Sequence, residues 1–346
     1  SDGMVGSAPF TLSKAAFRPG DRVIYRKIPS YVPRKEQASG LAGGKVVKVD
    51  QVEWVFLRDP QTQTNALVNG EIDMLEVTPS SRYPELRTNP AVEMFDVVPA
   101  GTFTAIFNHK VPPFNDARVR RAAMLAINQE AMLRAQITYR EFHKTCASLY
   151  LCGSVYANEK NGIFTGKPQF EEARKLLKDA GYDGKPVVVM LPGDVPALNR
   201  LPLVYGELLK QAGFNVDVQT MDWASLLTRR TKKDPADKGG WNVFVTYWGG
   251  ADASSPVTYT PLTGHGDQGY FGWPVDTEIE SLKTQFIETA DLAKRKDIAA
   301  RIERRALESG VLGPIGEGKS LVAVRRGVVS GLLPAPTVVY WNVQKK

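Results

Sequence analysis

Between residues 171 and 248 the chain alternates between two hydrophobic periods, and few architectures satisfy that alternation. Ala173, Leu176, Leu177 and Ala180 recur at helical spacing and stop at Gly181. An unbroken apolar run follows at 187–191, the signature of a strand buried on both faces. A second helix is expected over 198–212, closed by Gly213. A half-buried strand over 215–221 then carries Val216 and Val218 against polar neighbours. A short helix at 223–230 and a strand at 241–248 complete the series. Three helix–strand steps in succession predict an open α/β layer. Two longer helices, 277–288 with Ile279, Leu282 and Phe286, and 291–309 with Ile298, Ile302 and Ala306, close the region.

The first hundred residues read differently. Strands are expected at 9–12 and 22–26 around a turn carrying Pro19 and Gly20, then at 49–57, 92–98 and 102–108. One short helix, 62–69, ends at Gly70. Five strands with one helix leave sheet faces uncovered, so this stretch reads as part of a domain. After Asn108 the breaker Pro112-Pro113-Phe114-Asn115-Asp116 precedes a helix expected to run unbroken over 117–135. A last strand is expected at 321–324, before a Pro-containing end.

Composition excludes several classes. The chain is 43% hydrophobic and 23% charged, which is unlike a disordered or fibrous polypeptide. The longest apolar runs, near 186–191 and 328–333, are strand-sized, well short of the roughly 18–20 residues that span a bilayer. The chain begins at Ser1 without a basic-then-apolar leader, as expected of a processed or engineered product from which any export signal has gone. The net charge of +7 permits a polyanion partner, but the basic residues are dispersed. The denser groups (Arg118, Arg120, Arg121; Arg229, Arg230, Lys232, Lys233; Arg301, Arg304, Arg305) fall on or beside helical patterns and read as solvated faces.

Cys146 and Cys152 are the two cysteines, with five residues between them in a loop-like stretch. A zinc site needs about four ligands, and His143 is the one further candidate nearby. The spacing favours a small disulfide-closed loop, and an oxidising compartment, over two buried free thiols.

Catalytic signatures are missing from the sequence. His109, His143 and His265 have no nucleophile-and-base spacing around them, and phosphate-loop, dinucleotide and metal-protease motifs do not occur. No cofactor or metal is expected. The informative segment is Tyr247-Trp248-Gly249-Gly250-Ala251-Asp252, where a strand delivers aromatic side chains into a glycine-rich, acid-bearing loop. Loops at such strand ends line ligand clefts in open α/β sheets. An aromatic ring offers broad apolar contact and a carboxylate attracts an ammonium group. The bland alternative is that Asp252 caps a turn and Trp248 is core.

These residues carry a family resemblance. In order along the chain come Gly6-Ser7-Ala8-Pro9-Phe10; Pro19-Gly20-Asp21-Arg22; and Asn108 with Pro112-Pro113-Phe114-Asn115-Asp116-Ala117-Arg118-Val119-Arg120-Arg121-Ala122. Ala173 to Gly181-Tyr182, Leu208 to Asp217 and the tryptophan–acid loop follow. Together they resemble the extracytoplasmic solute-binding proteins of ABC importers, of the dipeptide/oligopeptide-binding family 5. The resemblance implies an α/β, two-lobed, type II periplasmic-binding fold with lobe I incomplete. It would comprise a partial lobe I at 1–108, lobe II at 109–315 and a return segment at 316–346. In relatives the acid corresponding to Asp252 anchors a peptide's α-amino group and the tryptophan packs over it. Here Asp252 stands four residues after Trp248, one more than the usual spacing. Tyr247, Trp273 and Trp223 are further aromatic candidates, Trp223 and Trp273 with structural roles as the alternative. Cys146 and Cys152 match a cysteine pair seen in part of the family.

The expected function is therefore that of a monomeric periplasmic receptor that passes a peptide or similar small solute to ABC permease subunits, with no chemistry of its own. The rivals are an enzyme whose catalytic residues lie outside this chain, and a basic nucleic-acid-binding protein.

Overall fold

A computed structural model describes residues 6–18 and 20–346. Pro19, expected in the first turn, lies outside the described residues. The chain forms two compact units, each considered separately. One runs up to Pro99 and takes in Ser320–Lys346, and the other is Ala100–Lys319.

In the first unit β1 (Phe10–Leu12), β2 (Arg22–Lys27) and β3 (Gln51–Val55) form an antiparallel sheet in that order. Helix α1 (Pro60–Asn69) starts where Asp59 accepts from the amides of Gln61 at 2.7 Å and Thr62 at 3.0 Å, with Pro60 at the first helical position. It ends at Gly70, whose φ of 81° is the left-handed cap that glycine supplies without strain. β4 (Met74–Leu75), a helix absent from the sequence reading, α2 (Tyr83–Thr88), and β5 (Val92–Phe95) follow.

The second unit opens with β6 (Gly101–Phe107), every residue of which is buried. The single helix expected over 117–135 is two: α3 (Ala117–Leu125) and α4 (Gln129–Gln136). Asn128 breaks it, because its side chain accepts from the amide of Ala131 at 3.1 Å and starts a second helix. Then come β7 (His143–Lys144), α5 (Phe170–Asp179), β8 (Val187–Pro192), α6 (Leu201–Gln211), β9 (Val216–Met221), α7 (Trp223–Arg229) and β10 (Val243–Trp248). Helices α8 (Thr277–Glu288) and α9 (Leu292–Glu308) lead to β11 (Leu312–Gly318). The chain then returns to the first unit with β12 (Val322–Arg325), which pairs between β4 and β5, and a short pair, β13 (Val329–Ser330) with β14 (Gln344–Lys345).

The six strands of the second unit lie in the order β7-β11-β6-β10-β8-β9. β10, β8 and β9 run parallel, as the alternation predicts, while β6 and β11 are antiparallel to their neighbours. β11 was not legible as a strand, since Leu-Gly-Pro-Ile-Gly-Glu-Gly has poor strand propensity. Its glycines are there for close approach: a Cβ on Gly313 would press on Ile127, and one on Gly318 on Ile137 and Phe103. Because β6 and β11 belong to this sheet, the units divide at 99/100 and 319/320, where the sequence reading placed divisions at 108/109 and 315/316.

One face of the sheet is covered by a core of Ile106, Val188, Met190, Leu226, Trp241, Phe244 and Trp273. Fully burying a side chain of this size contributes about 1.5–3 kcal/mol. Among the described residues no helix is long and apolar enough to cross a membrane.

Candidate functional site

The end of β10 sets the geometry. Successive strand residues face opposite sides, so Tyr247 and Trp248 diverge. Tyr247 stacks obliquely on Phe103, centroids 5.1 Å apart, and its hydroxyl donates to the carbonyl of Gly318 at 3.3 Å. It is 40% exposed, and desolvation around its hydroxyl pushes the phenol's pKa up. Trp248 lies on the other face, edge-on to Tyr259 at 6.0 Å and to Tyr270 at 5.3 Å. Its indole Nε1 is buried without a hydrogen-bond partner among the described residues. Beneath it the hydroxyl of Tyr259 is hydrogen-bonded to that of Thr104, and burial pushes the Tyr259 phenol up.

Gly101 permits this arrangement. It pairs in the sheet opposite Trp248's end of the strand, and a Cβ there would collide with the Trp248 carbonyl and the Tyr247 hydroxyl. Gly249 and Gly250 then turn the chain. The amide of Ala253 donates to the carbonyl of Gly249 at 3.0 Å, and the Thr258 hydroxyl to the carbonyl of Asp252 at 2.7 Å. The Asp252 carboxylate lies over Gly249, since a Cβ on that glycine would stand 3.3 Å from Oδ2. Asp252 is exposed, and its carboxylate makes no hydrogen bond or ion pair with the described residues. The turn is held by backbone and by Ser254 and Thr258, so the acid is not its cap.

Trp273 is placed elsewhere. It is 4% exposed, has a φ of 51° after Gly272, and packs on Trp241 at 6.0 Å within the core. A chain of ring contacts through Phe271 and Tyr270 links it to Trp248. Trp223 is the first residue of α7 and packs against the same core. The structure thus sets Asp252 over Gly249 in the turn that follows Trp248, sets Tyr247 on the opposite face of the strand from Trp248, and buries Trp273.

The Cys146–Cys152 disulfide is formed, with an S–S distance of 1.97 Å. Its loop reaches the candidate site: the Leu151 amide donates to the Ala253 carbonyl at 3.0 Å, and the Leu151 side chain lies against Gly250. Glu317, on β11, accepts from the Cys152 amide, and burial raises its pKa. Glu317 and the two sulfurs lie within 4.8 Å of one another, but a disulfide offers no thiolate to a metal. The sequence reading missed Tyr259, Tyr270, Leu151 and Glu317, which come to the site through tertiary contacts. A polar cavity of about 570 Å³ beside Arg121, Gln169, Glu172 and Glu308 is lined by none of the candidate residues.

Comparison with known proteins shows the family and the fold. Residues 1–270 match the family model described as bacterial extracellular solute-binding proteins, family 5 Middle. A Sinorhizobium fredii protein named "Probable peptide ABC transporter periplasmic-binding protein" is 32% identical over 345 residues, covering 99% of this chain and 65% of the relative. The oligopeptide-binding protein AppA of Bacillus subtilis, solved with a nonapeptide, superposes with a TM-score of 0.79 at 15% identity, over 99% of this chain and 67% of that one. A dipeptide-binding protein of Pseudoalteromonas sp. SM9913, solved with Met-Leu, gives 0.77 at 20% identity, over 98% and 64%. The fold is therefore that of the type II periplasmic-binding proteins, and the chain spans about two thirds of the length of these proteins. With its α/β sheet, its aromatic–acid loop and a family match over most of its length, the chain belongs to the bacterial extracellular solute-binding proteins of family 5.

Proposed function

We propose that this chain is the solute-recognising part of an extracytoplasmic receptor of an ABC importer, taking a peptide or similar zwitterionic solute for delivery to permease subunits. The observation that carries the reading is the exposed carboxylate of Asp252, without a partner among the described residues, in the glycine turn that follows Trp248 at the end of β10. A carboxylate without an internal partner is available to an ammonium group, and the ring supplies apolar contact at small entropic cost. The similarity to proteins solved with Met-Leu and with a nonapeptide supports a peptide. No step of chemistry on the solute is assigned to the chain.

The basic residues do not favour the nucleic-acid reading, because several are engaged internally. Arg118 pairs with Asp116 at 2.6 Å, Arg120 is buried against the carbonyls of Phe114 and Ser309, and Arg305 meets Asp276 at 2.8 Å.

Calorimetric titration with Met-Leu tests the proposal. The chain is expected to bind Met-Leu, and either N-acetylation of the peptide or Asp252→Asn should weaken binding by about 1.5–3 kcal/mol, the range for a charged hydrogen bond. Asp252→Asn should leave thermal stability within about 0.5 kcal/mol, as for an exposed, unpartnered site. Affinity left unchanged by N-acetylation of the peptide and by Asp252→Asn, relative to wild type with Met-Leu, would reject the role of Asp252.

A further inference from the structure

Glu303, on α9, is fully buried. Its Oε1 accepts from the Ser148 hydroxyl at 2.6 Å and the Leu149 amide at 2.7 Å. The Ser148 hydroxyl oxygen in turn accepts from the amides of Tyr150 and Asn158, both at 3.1 Å. The Tyr150 hydroxyl donates to the carbonyl of Ala299, one turn back on α9, at 3.1 Å. One carboxylate oxygen thus organises the start of the disulfide-closed loop, while Glu317 takes the amide of Cys152 at its end. Between these two grips stands Leu151, whose amide and side chain hold Ala253 and Gly250 on either side of Asp252.

We propose that Glu303 is a positioning residue for the Trp248–Asp252 segment, seating it through the disulfide-closed loop when protonated and releasing it when ionised. The ligand consequence rests on the solute-receptor reading above; the positioning does not.

The direction follows from the surroundings. Oε2 is buried without a well-formed hydrogen bond, the Asn158 side chain giving the carboxylate only weak help, so a proton placed there displaces no strong donor. No cation pairs with the carboxylate among the described residues. On α8, Glu280 and Lys283 pair with each other, and Glu280 also with His265. On α9, Arg304 meets Glu308 and Arg305 meets Asp276. Lys144 of β7 faces Glu159 and Glu317, and the loop itself contributes Tyr150, whose phenol is pushed up by burial and by the Glu303 charge. Burial raises Glu303 to about 7, against weaker opposing help from Ser148, Leu149 and Asn158. An ionised Glu303 is better solvated with the loop lifted, so rising pH favours the lifted state.

The test follows backbone amide resonances of Leu149, Leu151 and Ala253 in the full chain from about pH 5 to about pH 9. They should titrate together, with the midpoint reported by the side-chain carboxyl carbon of Glu303. Glu303→Gln keeps the accepting oxygen and should abolish the transition. Met-Leu affinity should fall by about threefold or more from pH 6 to pH 8 in the wild type relative to Glu303→Gln, which controls for the peptide's own amino group. Leu151 and Ala253 amides that ignore the carboxyl midpoint would overturn the proposal, whether or not the variant folds. Amides that track it in a protein indifferent to Met-Leu would leave the positioning standing and sink only the peptide reading.

Discussion

The amide of Leu151 donates to the carbonyl of Ala253 at 3.0 Å, which ties the disulfide-closed loop to the segment bearing Asp252. Two features that look independent along the chain, about a hundred residues apart, therefore form one structural assembly. The exposed acid at its tip has no partner among the described residues, whereas Glu303 and Glu317 are buried and hydrogen-bonded. Position alone separates a carboxylate available to a ligand from carboxylates that hold the frame.

Opening the disulfide should cost stability. Cys146 and Cys152 are six positions apart, and closing so short a loop removes about 2 kcal/mol worth of unfolded-state entropy. The double variant Cys146→Ser, Cys152→Ser should lower the unfolding midpoint accordingly, and reduction of the wild type should reproduce the loss. An unchanged midpoint in both would mean that the hydrogen bonds to Glu303 and Glu317 hold the loop without the covalent bond.

Stability should depend on pH through Glu303. Its folded pKa, about 7, lies above its ordinary value of 4.5, so the native state binds the proton more tightly than the unfolded chain. The associated stability is fully present below about pH 4.5 and is lost as pH rises through about 7, amounting to about 3 kcal/mol at most. Glu303→Gln carries no charge, so its melting temperature should exceed that of the wild type above neutrality and converge with it in acid. Parallel melting curves across the range would show that the burial of Glu303 is relieved by other means.

Gly101 should not tolerate a side chain. Gly101→Ala places a methyl group against the Trp248 carbonyl and the Tyr247 hydroxyl, and breaks the bond from that hydroxyl to Gly318. Overpacking of this kind costs about 1–3 kcal/mol. The loss should appear in chemical denaturation together with weaker Met-Leu binding, because the same collision displaces β10 where it delivers Trp248.

Trp273→Ala should behave as a core truncation, costing about 3–5 kcal/mol. Denaturant titration measures this, and a cost below 1 kcal/mol would contradict its packing against Trp241 and Phe244.

Local pattern determined much of this protein. The period-3.6 stripe at Ala173–Ala180 and the apolar run at Val187–Leu191 report directly on which faces are buried, so α5, β8, α6, β9, α7 and β10 could be placed from residues alone. The tryptophan and acid at the end of β10 and the cysteine pair were visible for the same reason: their meaning lies within a few residues. Tertiary structure decided the rest. β11 reads as a glycine-rich loop, and only its seat between β6 and β7 makes it a strand, since its glycines answer to Ile127, Ile137 and Phe103. The break in the helix at Asn128 depended on one side chain choosing to cap rather than continue. That Tyr247 and Trp248 face opposite ways follows from the strand period. That Trp273 is core, and that Glu303 reaches Ser148 and Leu149 from another helix, follows from packing between segments far apart in sequence. Spacing along a chain records local hydrogen bonding and burial period, while the partners of a buried acid or a glycine are set by whichever segment folds against it.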